Sequence, residues 1–287
     1  MVSIKGVRKR RLVLGALSTV TAGVALGAFS LVGSASGAQQ GQGQAKEAGR
    51  ESRPTIVLEH GAFADASSWN GVVEVLRADG YPVVAAANPL RGPAQDAAAL
   101  RSVLGHVKGP KVVVGHSYGG NVISEAVTGD PQVKALVYVA AFLPAPGESA
   151  LELTDKYPGS TLPDALDPAP YTLPDGTTGT DLYIQQDKFR HQFAADVPAA
   201  QAALAAATQR PIAQSALEEK ATSAAWKNKP TWDVVTTQDL NIPLAVQRYM
   251  AQRAHAHTTE IAASHSVAVS HPRRVAQVIE QAARATR

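Results

Sequence analysis

The sequence predicts an α/β fold: a doubly wound, mostly parallel six-stranded sheet carrying a helical cap insertion. Three observations lead there. Short Val-rich runs alternate with segments of helical period from Pro54 to about residue 141. The runs are unbroken rather than alternating apolar and polar, as expected of strands covered on both faces. The rhythm fails over residues 142–230 and then resumes, so that stretch reads as an insertion.

In order, "TIVLE" (55–59) reads as a strand and "SSWNGVVEVLRADG" (67–80) as a helix. Trp69, Val72, Val73 and Leu76 share one face of that helix, and Gly80 stops it. "PVVAAA" (82–87), "KVVVG" (111–115) and "VKALVYVAA" (133–141) are the next three strands. Helices over 94–107 and 119–127 separate them. Within the insertion, "VPAAQAALAAATQ" and "PIAQSALEEKA" read as helices, and no strand is evident. "TWDVVTT" (231–237) and "TTEIAA" (258–263) complete the sheet around a helix over 243–254. A last helix runs from Pro272 to Ala285 with Val275, Val278, Ile279 and Ala282 on one face.

The first residues follow a different rule. Arg8 to Arg11 are basic, an apolar run reaches about Val32, and Ser36-Gly37-Ala38 offers small residues for a peptidase. Residues 1–38 are therefore read as an export signal, preferred over a retained anchor of about twenty apolar residues. Arg10-Arg11 before "LVLG" resembles the twin-arginine signal, which implies a secreted or cell-envelope protein. Gln39 to Arg53 is Gly- and Gln-rich and reads as a flexible linker, leaving 54–287 as the folded domain. The leader holds five of the 27 basic residues and no acid, so 22 bases face 24 acids in the remainder, a net of −2. That balance gives no support for a nucleic-acid partner. Once the signal is removed, no stable membrane association is expected. The absence of cysteine excludes disulfides, thiolate nucleophiles and Cys-ligated metals.

The chemistry-bearing motif is "GHSYGG", Gly115 to Gly120, between a Val-rich strand and a helix. Gly-x-Ser-x-Gly in that setting describes a nucleophile elbow, with small residues letting strand and helix close beneath Ser117. The helix N-terminus adds positive potential where an oxyanion would form. Two N–H donors are needed there. Tyr118, next to the serine, supplies one, and Ala62 in "HGAF" after the first strand supplies the other. Phe63 is placed to line the acyl pocket. Strands one and three flank the switch point of such a sheet, so their loops open into one crevice.

Taken together, "HGAF", "GHSYGG", "TTQDLNIP" and "SHSVAVSHP" resemble the α/β-hydrolase family, in the branch containing plant esterases and hydroxynitrile lyases. The resemblance spans about residues 54–287. It implies the order Ser, Asp, His, and places the acid at Asp239, four residues before Pro243. Asp233 lies deeper in its strand. Two histidines compete for the base. His265 falls just beyond the last strand, while His271 precedes Pro272 with Ser270 expected as N-cap of the final helix. Both the location and the resemblance favour His265.

The implied activity is hydrolysis of a small-molecule carboxylic ester through an acyl-enzyme, with no metal or organic cofactor. Hydroxynitrile lyases of this branch typically carry Thr and Lys where this chain has Gly61 and Ser266, which favours hydrolysis. Perhydrolases and cofactor-free oxygenases share the same triad, and some members of the fold are small-molecule receptors. His255 and His257 lack an evident third metal ligand. His106 and His116 read as structural. In the insertion, His191, Tyr183, Phe189, Phe193 and Trp226 are candidates for packing or substrate contact.

Overall fold

The computed structural model describes residues 53–286. Apart from Arg53, the expected leader and linker lie outside the described residues. The first half is regular: β1 (Thr55–Glu59), α1 (Asn70–Ala78), β2 (Val83–Ala86), α2 (Pro93–His106), β3 (Lys111–His116), α3 (Gly119–Ala126) and β4 (Val133–Val139). The insertion contains α4 (Ala150–Thr154), β5 (Leu166–Thr172), β6 (Thr178–Ile184), α5 (Gln186–Phe193), α6 (Ala199–Thr208), β7 (Ile212–Ala213) and α7 (Gln214–Glu218). The chain closes with β8 (Thr231–Thr236), α8 (Leu244–Arg253), β9 (His257–Ile261), α9 (Val267–Ser270) and α10 (Pro272–Ala285).

The main sheet has the order β2-β1-β3-β4-β8-β9, and every pairing in it is parallel. Successive side chains along a strand enter opposite layers. Ile56, Leu58, Val112, Val114, Val137 and Val139 pack with Leu76 of α1 and Val275 and Ile279 of α10. Val57, Val113, Leu136 and Tyr138 pack with Leu100 of α2, Ile123 of α3 and Met250 of α8. Both faces are thus buried, which is why the strands read as continuous apolar runs. Each fully buried Val, Leu or Ile contributes about 1.5–3 kcal/mol relative to exposure.

β1 and β3 are neighbours, with Glu59 beside Gly115 at their C-terminal ends. From there the chain leaves β1 toward one edge of the sheet and β3 toward the other. This is the switch point at which loops diverge and leave a crevice.

The insertion differs from the largely helical reading of its sequence, in which no strand was evident. It includes a three-stranded antiparallel sheet, β5-β6-β7, beside four short helices. β5, "LDPAPYT", carries Pro168 and Pro170 and lies at an edge, where a missing N–H costs no interior ladder bond. β7 takes the start of the second expected helix, leaving only the single turn and a half of α7. The expected cap of the last helix is corrected as well. Ser270 ends α9, and His271 is the N-cap of α10 with no side-chain capping bond.

Candidate active site

Ser117 stands in the turn between β3 and α3 with φ +55°. A left-handed conformation at a residue bearing Cβ costs on the order of 1–3 kcal/mol and persists only when its surroundings enforce it. Here backbone packing does so. A Cβ on Gly115 would lie 2.7 Å from the Gly119 carbonyl oxygen, so strand and helix can meet only without it. A Cβ on Gly61 would lie 2.6 Å from the Ser117 Cβ and 2.7 Å from the His116 carbonyl oxygen, which presses the HGAF loop onto the elbow.

Ala62 and Tyr118 line one pocket of about 70 Å³ together with Ser117 and His265. Neither of their backbone N–H groups has a hydrogen-bond acceptor among the described residues. Phe63, also at φ +59°, lines the same pocket, and its N–H donates to the Arg210 carbonyl of the insertion at 3.0 Å. The Tyr118 hydroxyl points elsewhere and donates to Asp96 Oδ2 at 2.7 Å. Burial and the Asp96 charge raise its pKa, so that the ring is a fixed, neutral prop.

Beneath this loop lies a residue whose part was not read from the sequence. His60 is fully buried; its Nε2 accepts the Asn88 N–H at 3.0 Å, so the proton resides on Nδ1. Nδ1–H donates to the Gly61 carbonyl at 2.9 Å. In a trans peptide the following N–H points opposite that carbonyl. The ring therefore sets the direction of the Ala62 N–H. Burial lowers the pKa of His60, which keeps Nε2 unprotonated and able to accept that bond.

Asp239 and His265 meet at 2.7 Å, Oδ2 to Nδ1. The carboxylate also accepts the Asn241 and Ile242 N–H groups on Oδ1, at 2.7 and 3.0 Å. Thr236 Oγ1 and Gln247 Nε2 donate to Oδ2, at 2.9 and 3.1 Å. Burial alone would raise the Asp239 pKa; the His265 charge and these donors outweigh it and hold the group below the usual value. Asp233, by contrast, is buried in mid-strand with Oδ2 unpartnered, and burial raises its pKa well above the usual value.

The His265 segment is held from two sides. His116, next to the serine, places Nε2 3.0 Å from the His265 carbonyl, with the two rings 4.8 Å apart. Burial, then the His265 charge, pushes the pKa of His116 down to about 3, so it is a neutral strut. From the insertion, the Phe193 carbonyl accepts both the N–H and the hydroxyl of Ser266, at 3.0 and 2.9 Å. The hydroxyl at the position where lyases carry lysine is thereby engaged with the cap. The Phe193 ring lies 4.9 Å from that of His265. His271 is half-buried, 3.5 Å from Asp196, and does not line the pocket of Ser117.

Of the insertion residues singled out from the sequence, Phe193 lines that pocket, together with Phe142 at the start of the insertion. Trp226 donates its Nε1–H to the Pro144 carbonyl, Tyr183 pairs with β5 at Asp167, and His191 is exposed. His257 stacks on Trp232 at 4.8 Å. No cluster of three or more metal-ligating side chains occurs among the described residues.

The chain belongs to the alpha/beta hydrolase family, whose profile matches residues 56–278. A pyrethroid hydrolase of Sphingobium wenxiniae is 26% identical over 250 residues, covering 78% of this chain and 85% of that protein. Polyneuridine aldehyde esterase superposes with a TM-score of 0.70 at 19% identity, over 80% of this chain and 98% of the other. A pyrethroid hydrolase from Sphingobium faniae gives 0.64 at 23% identity, over 81% and 98%.

Proposed function

We propose that the protein is a serine-dependent hydrolase of small-molecule carboxylic esters, with Ser117, His265 and Asp239 as its triad. The observation carrying this reading is a buried Asp239–His265 pair whose histidine shares one pocket with an elbow serine and with Ala62 and Tyr118, whose N–H groups have no acceptor among the described residues. In the proposed sequence His265 takes the Ser117 proton as Oγ attacks the ester carbonyl. The carbonyl π pair moves onto oxygen, where the Ala62 and Tyr118 N–H groups meet it. Collapse breaks the C–O bond to the alcohol, and the imidazolium returns the proton to the leaving oxygen. Water, deprotonated by the same imidazole, then cleaves the acyl-enzyme and regenerates Ser117. Asp239 keeps the proton on Nδ1, so that Nε2 is free to act as base.

The names of the relatives, a pyrethroid hydrolase and polyneuridine aldehyde esterase, support an ester as the substrate. Phe142, Leu162, Leu166 and Ile242 surround the serine, which suits an apolar acyl group. A panel of p-nitrophenyl esters of increasing acyl length tests the reading. Turnover abolished in Ser117→Ala is expected; parent protein inactive across the panel would overturn it.

A further inference from the structure

A second cavity, of about 320 Å³, lies on the other side of Phe63 and Phe193 from the pocket of Ser117. These two rings line both spaces, edge to face with centroids 6.2 Å apart and planes at 87°. The two rings form a partition between the spaces. Small-molecule sites are typically about 300–1,000 Å³. The 70 Å³ pocket alone falls well short of that range, whereas the outer cavity reaches it.

On the reading of the site as an ester hydrolase, we infer that the outer cavity receives the alcohol half of the substrate, as a neutral, ring-sized apolar group. The side is fixed by proton transfer. The leaving oxygen must lie against the His265 imidazole to take its proton, so the alcohol extends past that ring. Ser266, Ala268 and Val269, which follow His265, line the outer cavity, as does His116, packed against the His265 ring. The acyl half remains with Phe142 and Leu166 on the inner side.

The chemistry of the occupant follows from the walls. Phe189, Val197, Leu204 and Ala205 form an apolar side, and Leu204 is 69% exposed at the surface. Among the described residues, no Lys or Arg lines the cavity. Its one carboxylate, Asp65, accepts the Ser67 N–H at 2.7 Å. The Arg210 charge offsets that of Asp65, whose Oδ1 also accepts the Ser67 hydroxyl, so the wall carries no unbalanced charge and favours a neutral occupant. Rotation of Phe63 or Phe193 joins the two spaces, letting one ester occupy both.

The test compares methyl acetate with 2-naphthylmethyl acetate, and adds calorimetric titration with 2-naphthylmethanol. Ala205→Trp, on the exposed side of α6, fills the cavity; Phe193→Ala removes half of the partition. The ratio of kcat/KM, naphthylmethyl over methyl, should fall at least about tenfold in Ala205→Trp, the low end of the discrimination an apolar pocket makes on one methylene. It should rise in Phe193→Ala, and 2-naphthylmethanol should bind the parent but not Ala205→Trp. A ratio unmoved by Ala205→Trp, or naphthylmethanol binding absent from the parent or equal in both, overturns the inference. If the parent hydrolyses neither these esters nor any p-nitrophenyl ester, the hydrolase reading falls and takes the alcohol assignment with it; p-nitrophenyl turnover with neither acetate hydrolysed overturns the alcohol assignment alone. The first outcome is distinguished from failure of the cavity alone, in which one of these esters is still turned over.

Discussion

His265 Nδ1 lies 2.7 Å from Asp239 Oδ2, and both side chains are sealed from solvent, at 1% and 0% exposure. The carboxylate is itself fixed by two backbone and two side-chain donors. Asp239→Asn preserves the shape but can present an N–H toward Nδ1, favouring the wrong tautomer. Loss of about four orders of magnitude in kcat is expected, as at other triads. Circular dichroism should remain that of the parent. A variant retaining a tenth of the parent kcat would remove Asp239 from the triad.

His60 acts through the Gly61 carbonyl rather than on substrate. His60→Leu frees that carbonyl and leaves the Asn88 N–H unpaired. A misdirected Ala62 N–H amounts to a lost oxyanion donor, worth about 10²–10³ in kcat. The discriminating readout is a boronic-acid transition-state analogue. Its affinity should fall in step with kcat while KM stays near the parent value. A purely structural role would lower Tm and the amount of active enzyme, leaving kcat per active site untouched.

The elbow, the oxyanion loop and the late histidine were legible because each is local chemistry in a short stretch. Gly115-x-Ser117-x-Gly119 announces a turn that only small residues permit, and the strand before it reads from its own valines. The part played by His60, and the partner of His116, which reads as structural, were not legible in the same way. Their partners, Asn88 and the His265 carbonyl, are 28 and 149 residues distant, and only the sheet brings them together. The insertion sheet escaped because β5 is marked by prolines and is largely exposed, so neither propensity nor alternation declares a strand. Ser270 had the residue type of a cap, but α9 takes it up before α10 begins.

Two buried groups set opposite slopes of stability against pH. Burial first, then the Asp96 charge, raises Glu59 from 4.5 to about 8, and its Oε2 has no partner. Above pH 4.5 the unfolded chain gives up this proton while the folded chain keeps it, so stability falls as pH rises toward 8. For His116, lowered from 6.5 to about 3, the unfolded chain binds the proton first as pH falls. Stability is therefore lost from pH 6.5 downward. Each slope is about 1.4 kcal/mol per pH unit where it acts alone. The two oppose each other between pH 4.5 and 6.5. Glu59→Gln removes the first, so the Tm difference between variant and parent should grow from pH 5 to pH 8. A constant difference would mean that Glu59 ionises normally in the folded chain.

The last prediction concerns Gly61, where lyases of this branch typically place threonine. With the backbone as it stands, any Cβ at Gly61 meets the Ser117 Cβ at 2.6 Å and the His116 carbonyl at 2.7 Å. Neither neighbour is a flexible side-chain end. Ser117 is held by its strained backbone and His116 by the sheet, where it pairs with Val139. Relief must come from the HGAF loop, which carries the Ala62 N–H. Both Gly61→Ala and Gly61→Thr should therefore cost at least about a hundredfold in kcat, comparable to losing an oxyanion donor. Overpacking should lower stability by about 1–3 kcal/mol as well. Because the Cβ alone causes the clash, alanine should be nearly as damaging as threonine, and neither should gain cyanohydrin cleavage. Kinetics and thermal melts of the two variants side by side decide it. If Gly61→Ala retained parental kcat, the loop would have room to yield, and the close approach would not be what positions the oxyanion donor.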